Sequence, residues 1–412
     1  MVDFSAFTLP NGLRVFVHED HDVQIAVMNI LYDVGARDES PDKTGFAHLF
    51  EHLMFGGSAN IPNYDEPLQQ AGGENNAFTS NDITNYYLTV PSANIETGFW
   101  LESDRMLSLS FDPKVLEVQQ KVVVEEFKQR YLNQPYGDVW LKLRPLAYQQ
   151  HPYRWATIGK EPAHVEQATM QDVREFFFTH YIPNNAILVV AGDVTRDQVM
   201  KLTEKWFSTI PAGNRKQRNL PVEAIPATKK SITIQADVPA HALYKVYPMV
   251  NRLHADYHGT EMIADMLGQG HSSRLYQKLV KEKEIFTAIS AYTTSSIDPG
   301  LLIFSGRTKG NRTPEEAEKY IDEVVADFIQ QGPSDQELEK VRNQAETNNQ
   351  FGQIEVMNRA MNLAYSALLG DPDLINTDLD KIKQVSIQDV HRISKQTLIE
   401  SQSSVLYYNR KN

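Results

Sequence analysis

The feature that most constrains this chain is an echo between its two halves. The run Thr44-Gly45-Phe46-Ala47-His48-Leu49-Phe50-Glu51-His52-Leu53-Met54 is matched in pattern by His258-Gly259-Thr260-Glu261-Met262-Ile263-Ala264-Asp265-Met266-Leu267. Both runs read as helices and both follow strand-like segments. The preceding strands are Leu13 to His18 and Gln24 to Val34 in the first half, and Ser231 to Gln235 and Ala242 to Val250 in the second. A repeated order of strands and helices predicts a divergent duplication, hence an α+β fold of two related domains. The length of 412 residues agrees, since single cores stop growing at roughly 250 to 300 residues. Pro211 to Thr228 holds three prolines and many polar residues and reads as a linker, which divides the chain into 1–220 and 221–412.

The first domain opens with Phe4 to Leu9 and Leu13 to His18 around Asn11-Gly12, a pair suited to a tight strand connection. Asn76 to Ser80 and Thr84 to Val90 are further strands, rich in Thr, Tyr and Phe. Helices follow at Glu96 to Leu107 and Pro113 to Leu132, the latter capped by Asp112 and started by Pro113. Gln171 to Tyr181 is a helix, Asn185 to Val194 a strand and Asp197 to Thr209 a helix. In the second domain, helices are expected at Tyr257 to Leu267, at Arg274 to Lys283 and through most of Pro314 to Gly370, with a closing strand at Ser403 to Tyr408.

Composition narrows the chemistry. With no cysteine, thiolate sites and disulfides are impossible, so a transition metal must use His and carboxylate. The net charge of −13 speaks against nucleic acid as partner. No apolar run approaches the roughly 18 to 20 residues of a membrane helix. Met1 to Ala6 shows neither the basic region nor the apolar run of a secretory signal, so the expectation is a soluble chain of cytoplasm or periplasm.

On a helix, residues three and four apart share a face, so His48 and His52 can present both imidazoles to one ion with Glu51 beside them. Two imidazoles and a carboxylate leave zinc an open position for water, and a further carboxylate can take that water's proton. Glu51 is therefore expected to be the base, and the third ligand must come from elsewhere. Glu126 ends the face that runs through Gln119, Val122 and Val123, whereas Glu125 turns roughly 100° away, so Glu126 is the expected ligand. One Zn2+ per chain is implied.

His48-Leu49-Phe50-Glu51-His52 resembles the inverted zinc motif of the inverzincins, the family of pitrilysin, insulin-degrading enzyme and mitochondrial processing peptidase. Asn75 to Ser80 with Thr84 to Tyr87, Val122 to Glu126, Asn133 to Gly137 and the glycine-rich Gly268 to Tyr276 extend the likeness nearly end to end. A nucleotide loop is the rival reading of the last stretch, but no strand directly precedes it.

The resemblance implies a zinc metalloendopeptidase working in a closed, clam-shell chamber of two halves, of which this chain is one. It also implies that an extended peptide pairs with the strand holding Asn76, Ala77 and Phe78. Two departures stand out. Gln119 occupies the position of a second glutamate common in the family. Aligned on Leu279 and Ile285, Val280 and Thr287 fall where the family places an arginine and a tyrosine that polarise the substrate carbonyl. A homologous partner lacking HxxEH is then expected to supply that pair, making a heterodimer. The alternative is a non-catalytic scaffold or peptide-binding relative.

Overall fold

The computed structural model describes residues 1–215 and 217–411. Its elements in chain order begin with β1 (Ser5–Thr8), β2 (Arg14–Glu19), β3 (Ile25–Tyr32), α1 (Phe46–Leu53), α2 (Asp65–Gln70), β4 (Glu74–Thr79), β5 (Thr84–Pro91), α3 (Ile95–Leu107) and α4 (Pro113–Phe127). They continue with α5 (Val139–Ala147), α6 (Pro162–Glu166), α7 (Met170–His180), β6 (Ala186–Gly192) and α8 (Arg196–Phe207). The second half adds β7 (Lys230–Ala236), β8 (Ala242–Pro248), α9 (Tyr257–Gly268), β9 (Phe286–Thr293), β10 (Leu301–Thr308), α10 (Pro314–Gln331), α11 (Asp335–Gly352), α12 (Val356–Leu368), α13 (Leu374–Gln384), α14 (Ile387–Thr397) and β11 (Ser404–Arg410).

The mixed sheets are mainly antiparallel and the class is α+β, as the repeat implies. The first sheet runs β1-β2-β6-β3-β5-β4 and the second β7-β11-β8-β10-β9. Leave out β1 and number each set in chain order: both read 1-5-2-4-3, with strands one and five parallel and every other pair antiparallel. The helix that enters the last strand is also repeated. α7 starts with a capping box of Thr169 and Asp172, α14 with one of Ser386 and Asp389. The duplication is thus written in topology and in helix caps.

The chain forms two compact units, and they are not its contiguous halves. Unit 1 holds Met1–Lys128, Trp155–Leu220 and Asn349–Asp378, while unit 2 holds Gln129–Arg154, Pro221–Asn348 and Leu379–Asn412. One boundary falls between Leu220 and Pro221, and each unit also takes a helix from the other half of the sequence. In unit 1, α12 lays Val356, Ala360, Leu363, Ala364 and Ala367 on Val27 and Leu31 of β3 and Ile187 and Val189 of β6. In unit 2, α5 lays Val139, Leu143 and Ala147 on Val246 of β8, Ile303 of β10 and Leu406 of β11. Each sheet is therefore covered on both faces, which is why β6 is buried at every residue and reads as an unbroken apolar run.

Two expectations need revision, and one hairpin is missed. The helix expected from Pro113 to Leu132 is α-helical only to Phe127 and continues as π-helix over Lys128–Leu132. Pro314 to Gly370 is three helices, broken around Gly332 and before Val356. The hairpin of β9 and β10 was not anticipated at all.

Candidate metal centre

The centre is built on α1, whose apolar face fixes where its polar face must point. Phe46, Ala47, Leu49, Phe50 and Leu53 are buried, so within this short helix His48, Glu51 and His52 alone remain half-buried. Phe50 stacks on Tyr181, which follows the last residue of α7, with ring centroids 5.3 Å apart and meets Phe176 of α7 in a tilted contact at 4.7 Å. Tyr86 of β5 adds a hydroxyl contact to the Phe50 carbonyl at 3.5 Å. Helix rotation is locked by aromatic packing, which leaves the imidazoles facing α4.

α4 begins as expected, with Asp112 accepting from the Lys114 N–H at 2.8 Å. Near its other end, Val123, Val124 and Phe127 are buried, and Glu126 turns toward α1. Glu126 Oε2 lies 3.6 Å from His48 Nε2 and 3.5 Å from His52 Nε2. Glu125 instead faces outward and pairs with Lys128 at 2.6 Å. One part of the expectation fails: Val122, placed on an apolar face with Glu126, is exposed at 44 %. The face that carries Gln119, Val122 and Glu126 is open rather than part of the core.

His48, His52 and Glu126 offer three donor atoms all within 4.8 Å of one another. Donors bound at about 2.0 to 2.1 Å to a tetrahedral ion stand roughly 3.3 Å apart, so the observed spacings suit zinc. Two imidazoles and one carboxylate also form a donor set with the right chemistry for it. A second carboxylate group in unit 2, Glu318, Asp322 and Glu400, differs in one decisive respect. Its centre is filled by the buried Lys245 ammonium, 2.9 Å from Glu318 and 2.6 Å from Asp322.

Glu51 lies beside the three donors and outside their group. Its Oε2 accepts the Thr79 hydroxyl at 2.6 Å, which ties the base candidate to the end of β4. Its charge is felt behind α1 as well: burial pushes the Tyr181 phenol up, and Glu51 adds to that push. Thr79 was not anticipated, and its position one residue past the expected substrate segment was the available signal.

β4 is the edge strand of its sheet. Asn76 and Phe78 are exposed and Ala77 is half-buried between them. The Ala77 N–H donates to Asn76 Oδ1 at 2.8 Å, so this edge donor is capped by the neighbouring side chain. Gln119 is half-buried on α4, two turns before Glu126.

In unit 2, Val280 sits in a π-helical turn, Tyr276–Glu282, and packs against the apolar core. Thr287 is exposed on β9 and donates its hydroxyl to the Arg307 carbonyl at 3.2 Å. The glycine-rich stretch is packed at Gly268, Ser273 and Leu275 and exposed from Gln269 to Ser272. A side chain at Gly268 would meet the Ala291 nitrogen at 1.9 Å, and Arg274 is clamped by Glu337 at 2.6 Å. No helix among the described residues is long and apolar enough to cross a membrane.

Fold and donor group together define the class: a duplicated α+β chain of a metallopeptidase family. Residues 14–159 match the family described as Insulinase (Peptidase family M16), and residues 167–345 match the Peptidase M16 inactive domain. The chain belongs to peptidase family M16, as its resemblance to the inverzincins indicated. It is 28% identical over 348 residues to the zinc protease PqqE of Helicobacter pylori, covering 81% of this chain and 77% of that one. It is 25% identical over 337 residues to the mitochondrial-processing peptidase subunit beta of Caenorhabditis elegans, covering 78% and 70%. A crystal structure of a protease from Helicobacter pylori superposes with a TM-score of 0.93 at 25% identity, over 99% of this chain and 100% of the other.

Proposed function

We propose that this chain is the zinc-bearing half of a metalloendopeptidase that cleaves peptides in a closed chamber. The observation that carries the reading is the convergence of three metal donors from two helices, with Glu51 beside them and outside the group. His48, His52 and Glu126 would hold one Zn2+, which when bound supplies Lewis acidity and a water of pKa near ~7. Glu51 takes the proton of the attacking water and passes it to the leaving amine. The Thr79 hydroxyl occupies one carboxylate oxygen and orients the other. Gln119 can steady water or Glu126 by hydrogen bonding, without adding charge.

The edge of β4 receives the peptide as an added strand, with Asn76, Ala77 and Phe78 along it. Pairing at Ala77 requires the Asn76 amide to release the backbone N–H it now holds. Sequence-tolerant main-chain bonding of this kind suits a peptidase that acts on extended segments.

The carbonyl-polarising groups come from a homologous partner without HxxEH. Val280 has no donor and packs against the core, and the Thr287 hydroxyl is short and engaged by the Arg307 carbonyl. Each of the two would need replacing for a homodimer to stabilise a developing oxyanion. The relative from Caenorhabditis elegans, named as a subunit, is in keeping with a paired enzyme.

A Glu51→Gln variant tests the role directly: zinc should stay and cleavage should fall roughly 10³-fold. A scaffold or peptide-binding relative would show no cleavage to lose in any assembly. Cleavage by the purified chain alone at the full rate would refute the heterodimer.

A further inference from the structure

α1 carries two of the three donors, yet it lacks a side-chain cap of the kind that starts α4, α7, α8, α10 and α14. Its N-cap is Gly45, with φ of +87°, and a Cβ there would meet the Ile158 carbonyl oxygen at 2.6 Å. Ser, Thr or Asp is therefore excluded from the position that would satisfy the first turn. The free N–H groups go instead to a residue six positions upstream. Glu39 accepts from the Gly45 N–H at 3.0 Å with one oxygen and from the Ala47 N–H at 2.9 Å with the other.

Glu39 is itself buried and held. The turn before it, Ala36–Asp38, receives the Trp155 indole N–H on the Ala36 carbonyl at 2.9 Å. Arg218, from the proline-rich linker, grips Asp38 at 2.7 Å and Asp33 at 2.9 Å. Asp38 also accepts the Gly35 N–H at 3.0 Å. A continuous set of short contacts thus runs from Arg218 through Asp38 and Glu39 to Ala47, the residue before His48.

We propose that Glu39 is a positioning residue for the metal centre, fixing the first turn of α1 and with it the reach of His48 toward Glu126, with Arg218 bracing it from the linker. This rests on the metal reading above. His48 stands in the turn that Glu39 clamps and His52 one turn beyond, so loss of Glu39 disturbs His48 first. Burial pushes the Glu39 carboxyl up to about 8, against the Ala47 and Gly45 N–H bonds that favour its charge, and in either form each of its oxygens keeps a lone pair for one of those N–H groups. Glutamine would present a donor to one of the two N–H groups and lose that bond.

Cobalt(II) titration of the metal-free chain separates these claims, since four-coordinate cobalt gives an intense visible band. The parent chain should show that band. Glu39→Gln should bind cobalt about tenfold more weakly and with an altered band while remaining folded by circular dichroism. Arg218→Met, at a partly exposed side chain, should shift both in the same direction by less. Glu318→Gln, a buried carboxylate of unit 2, should lower thermal stability and leave band and affinity unchanged.

A folded Glu39→Gln chain with the parent's affinity and band overturns the positioning role alone. An equal loss in Glu318→Gln also overturns it, because the effect would then be general destabilisation. A parent chain without the band overturns the metal reading, and this proposal with it.

Discussion

The two units place a helix at the same point of the same strand topology, and only one of them leaves its polar face open. α1 and α9 both follow the second strand of the repeat. Where α1 has His48 and His52, the echo in α9 has Met262 and Met266, which are 2% and 0% exposed in a core with Phe286 and Phe304. Where α1 has Glu51, α9 has Asp265, whose carboxyl is pushed up to about 6 by burial and then by the Glu261 charge, against Lys340. The comparison teaches that the fold offers a slot rather than a site. Chemistry needs the face left uncovered and a carboxylate facing it, and α4 supplies both in unit 1.

The strongest way to break the comparison is at Glu51 and Asp265. Glu51→Gln should lower turnover roughly 10³-fold in any assembly that is active, with zinc retained, whereas Asp265→Asn should change it by less than about twofold. Steady-state assays with metal analysis on both variants check this.

Exchange of the ligands comes next. Giving α1 the residues of α9, His48→Met with His52→Met, should abolish zinc binding and keep the fold. The reverse graft, Met262→His with Met266→His, should bind no zinc and destabilise by ~2–5 kcal/mol, because two polar rings would enter a packed core. Denaturant unfolding and metal titration distinguish the two.

The crossed helices sharpen the contrast at the level of packing. Leu363→Ala on α12 should cost ~2–5 kcal/mol and loosen β3 and β6 of unit 1, although it lies in the second half of the sequence. Leu143→Ala on α5 should do the same to β8 and β11 of unit 2. Hydrogen exchange by strand reads which sheet responds, and a response in the contiguous half instead would show that the units are misdrawn.

The smallest effect concerns acid. Burial raises the Glu337 carboxyl, but the Arg274 and Ser334 bonds outweigh it and bring it down to about 2 from 4.5. A carboxyl lowered in the folded state stabilises fully above its ordinary value and loses that contribution as pH falls from about 4.5 toward 2. Melting temperature should therefore drop over that window, and Arg274→Ala should flatten the drop.

How much of this was legible in sequence depends on the range of the contact. His48, Glu51 and His52 could be read because three residues on one helical face are a local pattern, and Glu126 because its face differs from that of Glu125. The repeat was visible in α1 and α9 for the same reason. β9 and β10 were not, since β9 is an edge strand with irregular burial and the pair is interrupted by a register shift at Arg307/Thr308. The exchange of α5 and α12 leaves no local trace, because an amphipathic helix does not state which sheet it covers. Glu39 has no motif either; its only sign was a glycine where the helix should have had a cap.

The central claim is that one zinc is held by His48, His52 and Glu126. Zinc content of the purified chain by mass spectrometry, in the parent and in His48→Ala, His52→Ala, Glu126→Ala and Glu125→Ala, tests it most directly. One zinc per chain is predicted for the parent and for Glu125→Ala, and essentially none for the other three. A parent chain that takes up no zinc, or loss of zinc in Glu125→Ala with retention in Glu126→Ala, would contradict the account.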